Sequence, residues 1–166
     1  FIESGKSKKG TLRRNPNVML QESVVERQRE LDKKQEDELA REFEREHEEG
    51  QSPLHLAIKE ANVRRVQQLL ELCLRRGYNV NAKDAYGWTP LHNAVSLCTG
   101  TDADDEILRM LLEHPGVQVN CENQDLNTPL HYFCAKFSSP SCRQYGATMI
   151  ARGADVNKRN RNGETP

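Results

Sequence analysis

The chain has 166 residues, 30% of them charged, with 24 Lys and Arg against 25 Asp and Glu and a formal net charge of −1. That balance speaks against a nucleic-acid binder and against a membrane-surface protein, and no apolar run approaches the roughly 20 residues that a spanning helix needs. The chain opens at Phe1 with neither an initiator Met nor an apolar leader, so an excerpt of a longer protein is expected.

In chain order, residues 1–19 are expected to form a flexible basic linker. Lys6, Lys8, Lys9, Arg13 and Arg14 stand there among Gly, Ser, Thr and Asn with little apolar surface to offset ordering. A solvated tether fits this composition better than a nuclear address or an anion-binding arm. Gly5-Lys6-Ser7 matches only the end of a phosphate-binding loop, without its first Gly and without a following apolar helix, so nucleotide binding is not expected.

Residues 20–48 hold neither Gly nor Pro and are dense in Glu, Arg, Lys and Gln, which predicts a charged α-helix. Leu20, Val24, Leu31, Leu39 and Phe43 leave gaps at Arg27 and Gln35, so the seam is poorer than a two-stranded coiled coil requires. The expected arrangement is a solvated helix whose Leu39/Phe43 end packs on the helical unit that begins near Ser52. A partner-binding or self-associating coiled-coil helix over residues 20–48 is the alternative.

From Ser52 one pattern recurs. Ser52-Pro53-Leu54-His55, Thr89-Pro90-Leu91-His92 and Thr128-Pro129-Leu130-His131 are followed by Thr165-Pro166, at intervals of 37, 39 and 37 residues. Ser or Thr suits a helix N-cap, and Pro suits the first helical position, where its missing N–H costs nothing. Apolar stripes follow each start: Leu54/Ala57/Ile58/Ala61, Leu91/Ala94/Val95/Cys98 and Leu130/Phe133/Cys134/Phe137. A second helix follows in each unit: Val66/Leu69/Leu70/Cys73, Ile107/Met110/Leu111/His114 and Cys142/Tyr145/Gly146/Met149. Helix starts at one period indicate a repeat array in which each unit contacts its neighbours.

These motifs resemble the ankyrin repeat, whose T-P-L-H-x-A signature opens the first of two helices. The likeness covers roughly residues 46–166. Val80-Asn81, Val119-Asn120 and Val156-Asn157 precede the later Thr residues, and Gly50, Gly87 and Gly163 stand two positions before their Ser or Thr. Gly153-Ala154-Asp155-Val156-Asn157 looks like the family's junction between repeats. The resemblance implies an all-α solenoid of helix-turn-helix repeats joined by β-hairpin loops and preceded by the charged helix. Its repeats would lie at about 49–85, 86–124 and 125–161, with a fourth starting at 162–166.

The units exceed the roughly 33 residues typical of the family. The surplus is expected at residues 72–76, at a loop over 99–105, and at 138–141, where Pro140 would end a helical run. Two residues break the pattern. Leu126 takes a turn position where Gly tolerates positive φ, and Phe133 takes the signature Ala, with Gly146 or Ala147 making room.

No catalytic, cofactor or metal site is expected. His55, His92 and His131 fall one per repeat, and the resemblance gives that His a bracing hydrogen bond. Zinc ligation by His131, Cys134 and Cys142 lacks a fourth ligand and tight spacing, and Asp102, Asp104 and Asp105 supply too few ligands for calcium. The five cysteines form no C-x-x-C pair, and Cys73, Cys98 and Cys134 fall on apolar faces. Inert thiols in a reducing, intracellular and cytoplasmic setting are expected.

The resemblance implies a protein-interaction module, a scaffold or adaptor segment whose concave surface holds a protein partner. Carried over by position, that surface comprises Gln51, Lys59 and Glu60, then Ala85, Tyr86, Trp88, Ser96 and Leu97. Gln124, Asp125, Asn127 and Lys136 continue it, and Arg161, Asn162 and Glu164 close it. Trp88 has two open roles, partner anchor or packing on a neighbouring hairpin. The alternative function is the regulatory segment of a signalling enzyme, of kinase or GTPase-regulator type, whose catalytic domain lies elsewhere.

Overall fold

The computed structural model describes the backbone of residues 16–45, 50–135 and 140–166. Residues 1–15 of the linker expected over 1–19, and the segments 46–49 and 136–139, lie outside the described residues, whereas residues 16–19 open the first helix and are not linker. The chain divides into two units, one up to Glu38 and one spanning Leu39–Pro166.

The first unit holds most of α1 (Pro16–Glu44). Val24, Val25 and Leu31 are exposed along it, and Gln28 donates to Asp32 one turn on, at 2.9 Å. This part of α1 is a polar helix held by its own backbone and by neighbouring side chains.

The second unit contains the last turns of α1 and three helix pairs: α2 (Pro53–Lys59) with α3 (Val63–Arg76), α4 (Pro90–Leu97) with α5 (Asp102–Glu113), and α6 (Pro129–Ala135) with α7 (Pro140–Ala151). First helices α2, α4 and α6 pack side by side in one layer, and second helices α3, α5 and α7 form the other. The core runs between them through Leu54, Val66, Leu69, Leu91, Leu108, Leu111, Leu130 and Met149. Among the described residues there is no strand. The expected hairpins are loops closed by turn hydrogen bonds.

At the start of this unit Ala40 is buried, and Leu39 and Phe43 pack against the core. The Phe43 ring stacks on Tyr78 with centroids 4.5 Å apart and planes 4° from parallel. Glu42 accepts a 2.7 Å ion pair from Arg65.

Several local expectations change. Ala61 is exposed with φ 50, because α2 ends at Lys59 and Ala61 turns the chain into α3. Cys98 caps α4, Cys134 is exposed at the end of α6, and Phe137 lies outside the described residues. The surplus at 72–76 is an extra turn of α3, which runs for 14 residues. Asp102, Asp104 and Asp105 belong to the first turn of α5 and not to a loop. Carboxylates are favoured at a helix N-terminus, and Thr101 caps the helix by accepting from the Asp104 N–H at 3.2 Å. Pro140 opens α7, the position where a missing N–H is harmless.

Both departures from the repeat pattern appear in the geometry. Leu126 has φ 62 at the turn position where Gly87 has φ 78 and Gly163 has φ 79. A β-carbon at Gly146 would overlap the Phe133 ring, meeting Cζ at 2.9 Å.

Candidate interaction surface

The loops between repeats, residues 78–88, 117–127 and 154–164, end in one repeated turn. In the first, Asp84 N–H donates to Trp88 O and Gly87 N–H donates to Asp84 O, each at 2.9 Å. The Asp84 carboxylate also accepts from the Tyr86 and Trp88 N–H groups at 3.0 and 2.8 Å. Asn123 does the same for Asp125 and Asn127, at 3.0 and 2.9 Å. Asn160 does so for Asn162 and Glu164, both at 3.0 Å. A short Asx side chain capturing amides two and four residues on makes each tip self-contained.

The tips are then tied to one another. Gln124 N–H donates to Tyr86 O at 3.1 Å, and Arg161 N–H to Asp125 O at 2.9 Å. Side chains repeat the link: Gln124 Nε2 to Ala85 O at 2.6 Å and Arg161 Nε to Gln124 O at 2.9 Å. Lys83 donates to Glu122 O at 2.6 Å, and Lys158 pairs with the Glu122 carboxylate. Gly87 is required here for space as well as φ, since a β-carbon would stand 2.9 Å from Gln124 N. Behind the tips, Asn81 donates to Gly116 O at 2.7 Å and accepts from Gln118 N–H at 2.8 Å. Asn120 does the same with Gly153 and Asp155, at 2.7 and 2.8 Å. The first two Val-Asn pairs therefore staple consecutive repeats through Asn81 and Asn120.

The three histidines join tips to helices. His55 Nδ1 accepts from the Ser52 N–H at 3.1 Å, and its Nε2 lies 3.0 Å from Trp88 O. His92 bridges Thr89 and Asn127 O, at 3.1 and 3.0 Å. His131 bridges Thr128 and Glu164 O, at 3.1 and 3.2 Å. Desolvation by burial lowers the pKa of His55 and lowers that of His92 to about 4, against the raising effect of the Asn127 carbonyl bond. The neutral His55 and His92 rings, with both nitrogens engaged, brace the fold. Burial likewise raises the Cys73 thiol to about 11, which removes thiolate character near neutral pH.

The residues expected at the partner surface fall into three groups. Ala85, Tyr86, Gln124, Asp125, Arg161, Asn162 and Glu164 are exposed at the tips, and Asn127 is half-buried. Lys59, Glu60 and Leu97 are exposed at the ends of first helices, with Ser96 half-buried. Gln51 departs from the expectation, with only 7% exposed, in a cleft of about 600 Å³ beside Phe43, Gly50 and Tyr78. Lys136 lies outside the described residues. A second cleft, of about 520 Å³, brings Asn127, Asn162 and Glu164 together with Tyr132, Cys134 and Ala135 of α6. Tips and first helices thus share one surface there.

Trp88 does not project freely. It is half-buried, its ring centroid 4.6 Å from Tyr132 and 5.9 Å from His92. Its stacking partner is Tyr132 on the next repeat's first helix. Sequence reasoning passed over Tyr132, Lys83 and Glu122, and also Asp84, Asn123 and Asn160. The last three stand five residues before Thr89, Thr128 and Thr165, so an Asx at fixed offset was a readable signal.

The repeated motif agrees with sequence comparison to known proteins. A family model described as ankyrin repeats (three copies) matches residues 24–123. The chain belongs to the ankyrin repeat family. Ankyrin repeats are protein-interaction modules and are themselves non-catalytic. A probable serine/threonine-protein kinase of Dictyostelium discoideum is 40% identical over 116 residues, 70% of this chain and 13% of the relative. The ankyrin repeat-containing protein kinase A of the same organism is 45% identical over 98 residues, 58% of this chain and 6% of the relative. Human Rabankyrin-5 is 40% identical over 94 residues, 57% and 7%. The chain thus spans 13% or less of these relatives' lengths. Among the described residues no helix is long and apolar enough to cross a membrane.

Proposed function

We propose that this segment is an intracellular, non-catalytic docking module that holds a protein partner on its linked loop tips and first-helix ends. The observation carrying this reading is the hydrogen-bond ladder that ties successive loop tips to one another. It holds exposed Tyr86 and Leu126 in place on neighbouring tips. Ordering such a surface on binding costs little, which favours association. No bound metal, cofactor or nucleic acid enters this reading.

A second reading, that the segment regulates a protein kinase, is favoured by one observation: two of these relatives carry kinase in their names. Any catalytic chemistry would then reside in other parts of the full protein.

The test is site-resolved cross-linking. A photoactivated group at position 86 or 125 should capture the same protein from cell extract, and excess unlabelled array should compete it away. The same group at Leu74 or Ile150, exposed on second helices, should not. Specific capture confined to the second-helix positions would overturn the assignment.

A further inference from the structure

Two adjacent repeats contribute to one aromatic junction beside the loop tips. Tyr132 occupies the variable position of the third T-P-L-H-x motif, after Thr128-Pro129-Leu130-His131. Its ring lies 4.6 Å from Trp88 at 43° and 6.0 Å from His92 in an edge-on arrangement at 78°. Its hydroxyl accepts from Asn123 Nδ2 at 2.8 Å and lies 3.5 Å from Asn127 Nδ2. Asn123 is the residue whose carboxamide oxygen organises the second tip. One side chain therefore contacts the last residue of the first tip through its ring and the organiser of the second tip through its hydroxyl.

The equivalent positions are Leu56 in the first repeat and Asn93 in the second, and neither offers a ring and a hydroxyl together. Neither the period nor the family signature requires Tyr132. Aromatic contact at such distances adds directional attraction to burial, and a hydroxyl acceptor for Asn123 fixes which way that amide turns.

We propose that Tyr132 is a positioning residue for the partner surface: it holds Trp88 and the Asn123 turn at one fixed separation, so that Tyr86, Asp125 and Leu126 are presented as one unit. The inference rests on the docking reading, but its physical content is measurable without any partner.

Trp88 is the chain's one tryptophan, so selectively excited tryptophan fluorescence reports this junction alone. Three variants separate the contributions. Tyr132→Leu removes the ring and should shift Trp88 emission to the red and raise its acrylamide quenching constant. Tyr132→Phe keeps the ring, so its emission and quenching should stay at the parent values. In Tyr132→Phe the amides of Asp125 and Asn127 should nonetheless lose hydrogen-exchange protection, because Asn123 has lost its hydroxyl partner. A Met149→Ala variant, cut in the core away from the junction, controls for general loosening. It should lower the urea midpoint and leave native-state Trp88 quenching unchanged.

Parent-like Trp88 quenching in a folded Tyr132→Leu variant would overturn the proposal. So would unchanged exchange at Asp125 and Asn127 in Tyr132→Phe, or a Met149→Ala variant that raises quenching as much as Tyr132→Leu does. If Tyr132→Leu does not fold, the Tyr132→Phe exchange measurement decides alone. Failure of the cross-linking experiment with these signatures intact would reject the docking surface and leave the positioning role standing.

Discussion

The tightest steric test in the chain is Gly146→Ala. Gly146 lies inside α7, where replacing Gly by Ala ordinarily gains about 1 kcal/mol of helix propensity. Here the added methyl would overlap Phe133 Cε1 and stand 2.9 Å from Cζ and 3.3 Å from Cδ1. Phe133 is only 5% exposed, so its ring has little room to retreat. Overpacking of this kind costs roughly 1–3 kcal/mol, and the net change should be a loss of up to about 2 kcal/mol once propensity is offset. Phe133→Ala alone should cost about 3–5 kcal/mol through the cavity it leaves. In that background the clash is gone, and Gly146→Ala should become stabilising by up to about 1 kcal/mol. The coupling between the two sites should therefore be roughly 1–3 kcal/mol. Urea unfolding of the four proteins gives the cycle directly. A Gly146→Ala change that stabilises equally with and without the Phe133 ring would refute the steric reasoning.

Other consequences are checked by similar means. Leu126→Gly should raise stability by roughly 0.5–1 kcal/mol, because a branched residue at φ 62 carries strain that Gly lacks while Gly adds some unfolded-state entropy; a lower midpoint would mean that side-chain packing outweighs the strain. Phe43→Ala should cost roughly 1.5–3 kcal/mol, since it removes a ring stacked on Tyr78 that covers the first repeat; an unchanged midpoint would mean this end of α1 caps nothing. Stability should fall as pH drops from about 6.5 towards 4, because His92 is held neutral with a folded pKa of about 4 while the unfolded chain takes up the proton first, a loss on the order of 3 kcal/mol at the low end. A flat urea midpoint between pH 7 and 5 would contradict the burial of neutral His92. Tyr86→Ala should weaken partner binding with the midpoint unchanged, whereas Trp88→Ala should lower both; equal midpoints for the two variants would show that the Trp88–Tyr132 contact contributes nothing to folding.

Much of the fold was legible because its determinants are local. Ser52, Thr89 and Thr128 each precede a Pro and stand three residues before a His, and each opens a helix where that spacing says it should. The buried stripe Val66/Leu69/Leu70/Cys73 follows from period alone, and all four are at most 5% exposed. Even the two irregularities, Leu126 and the Phe133–Gly146 exchange, were readable as departures from a repeated pattern. What periodicity could not settle was where helices stop. Ala61 and Cys98 fit the spacing, yet α2 and α4 run only 7 and 8 residues before the chain turns. Termination there depends on Ala61 adopting positive φ and on the route to the next helix, which no apolar pattern encodes.

The surface was less legible for a related reason. Exposure of Tyr86 or Asp125 follows from position in the repeat, but the rigidity that makes exposure useful comes from pairs far apart in sequence. Lys83 and Glu122 meet across 39 residues, and Arg161 and Gln124 across 37. These separations equal or nearly equal the repeat period, so these contacts between tips join residues at equivalent or neighbouring positions in adjacent copies. A substitution at one tip thus acts on its neighbour more directly than on its own helices. Glu122 is the extreme case, touching Lys83 through its carbonyl and Lys158 through its carboxylate. In an array whose repeats stabilise one another only through nearest neighbours, such links make the recognition surface a property of the stack and not of any single repeat. On the docking reading proposed above, partner specificity can then change through residues like Tyr132, which position the side chains of the neighbouring tips.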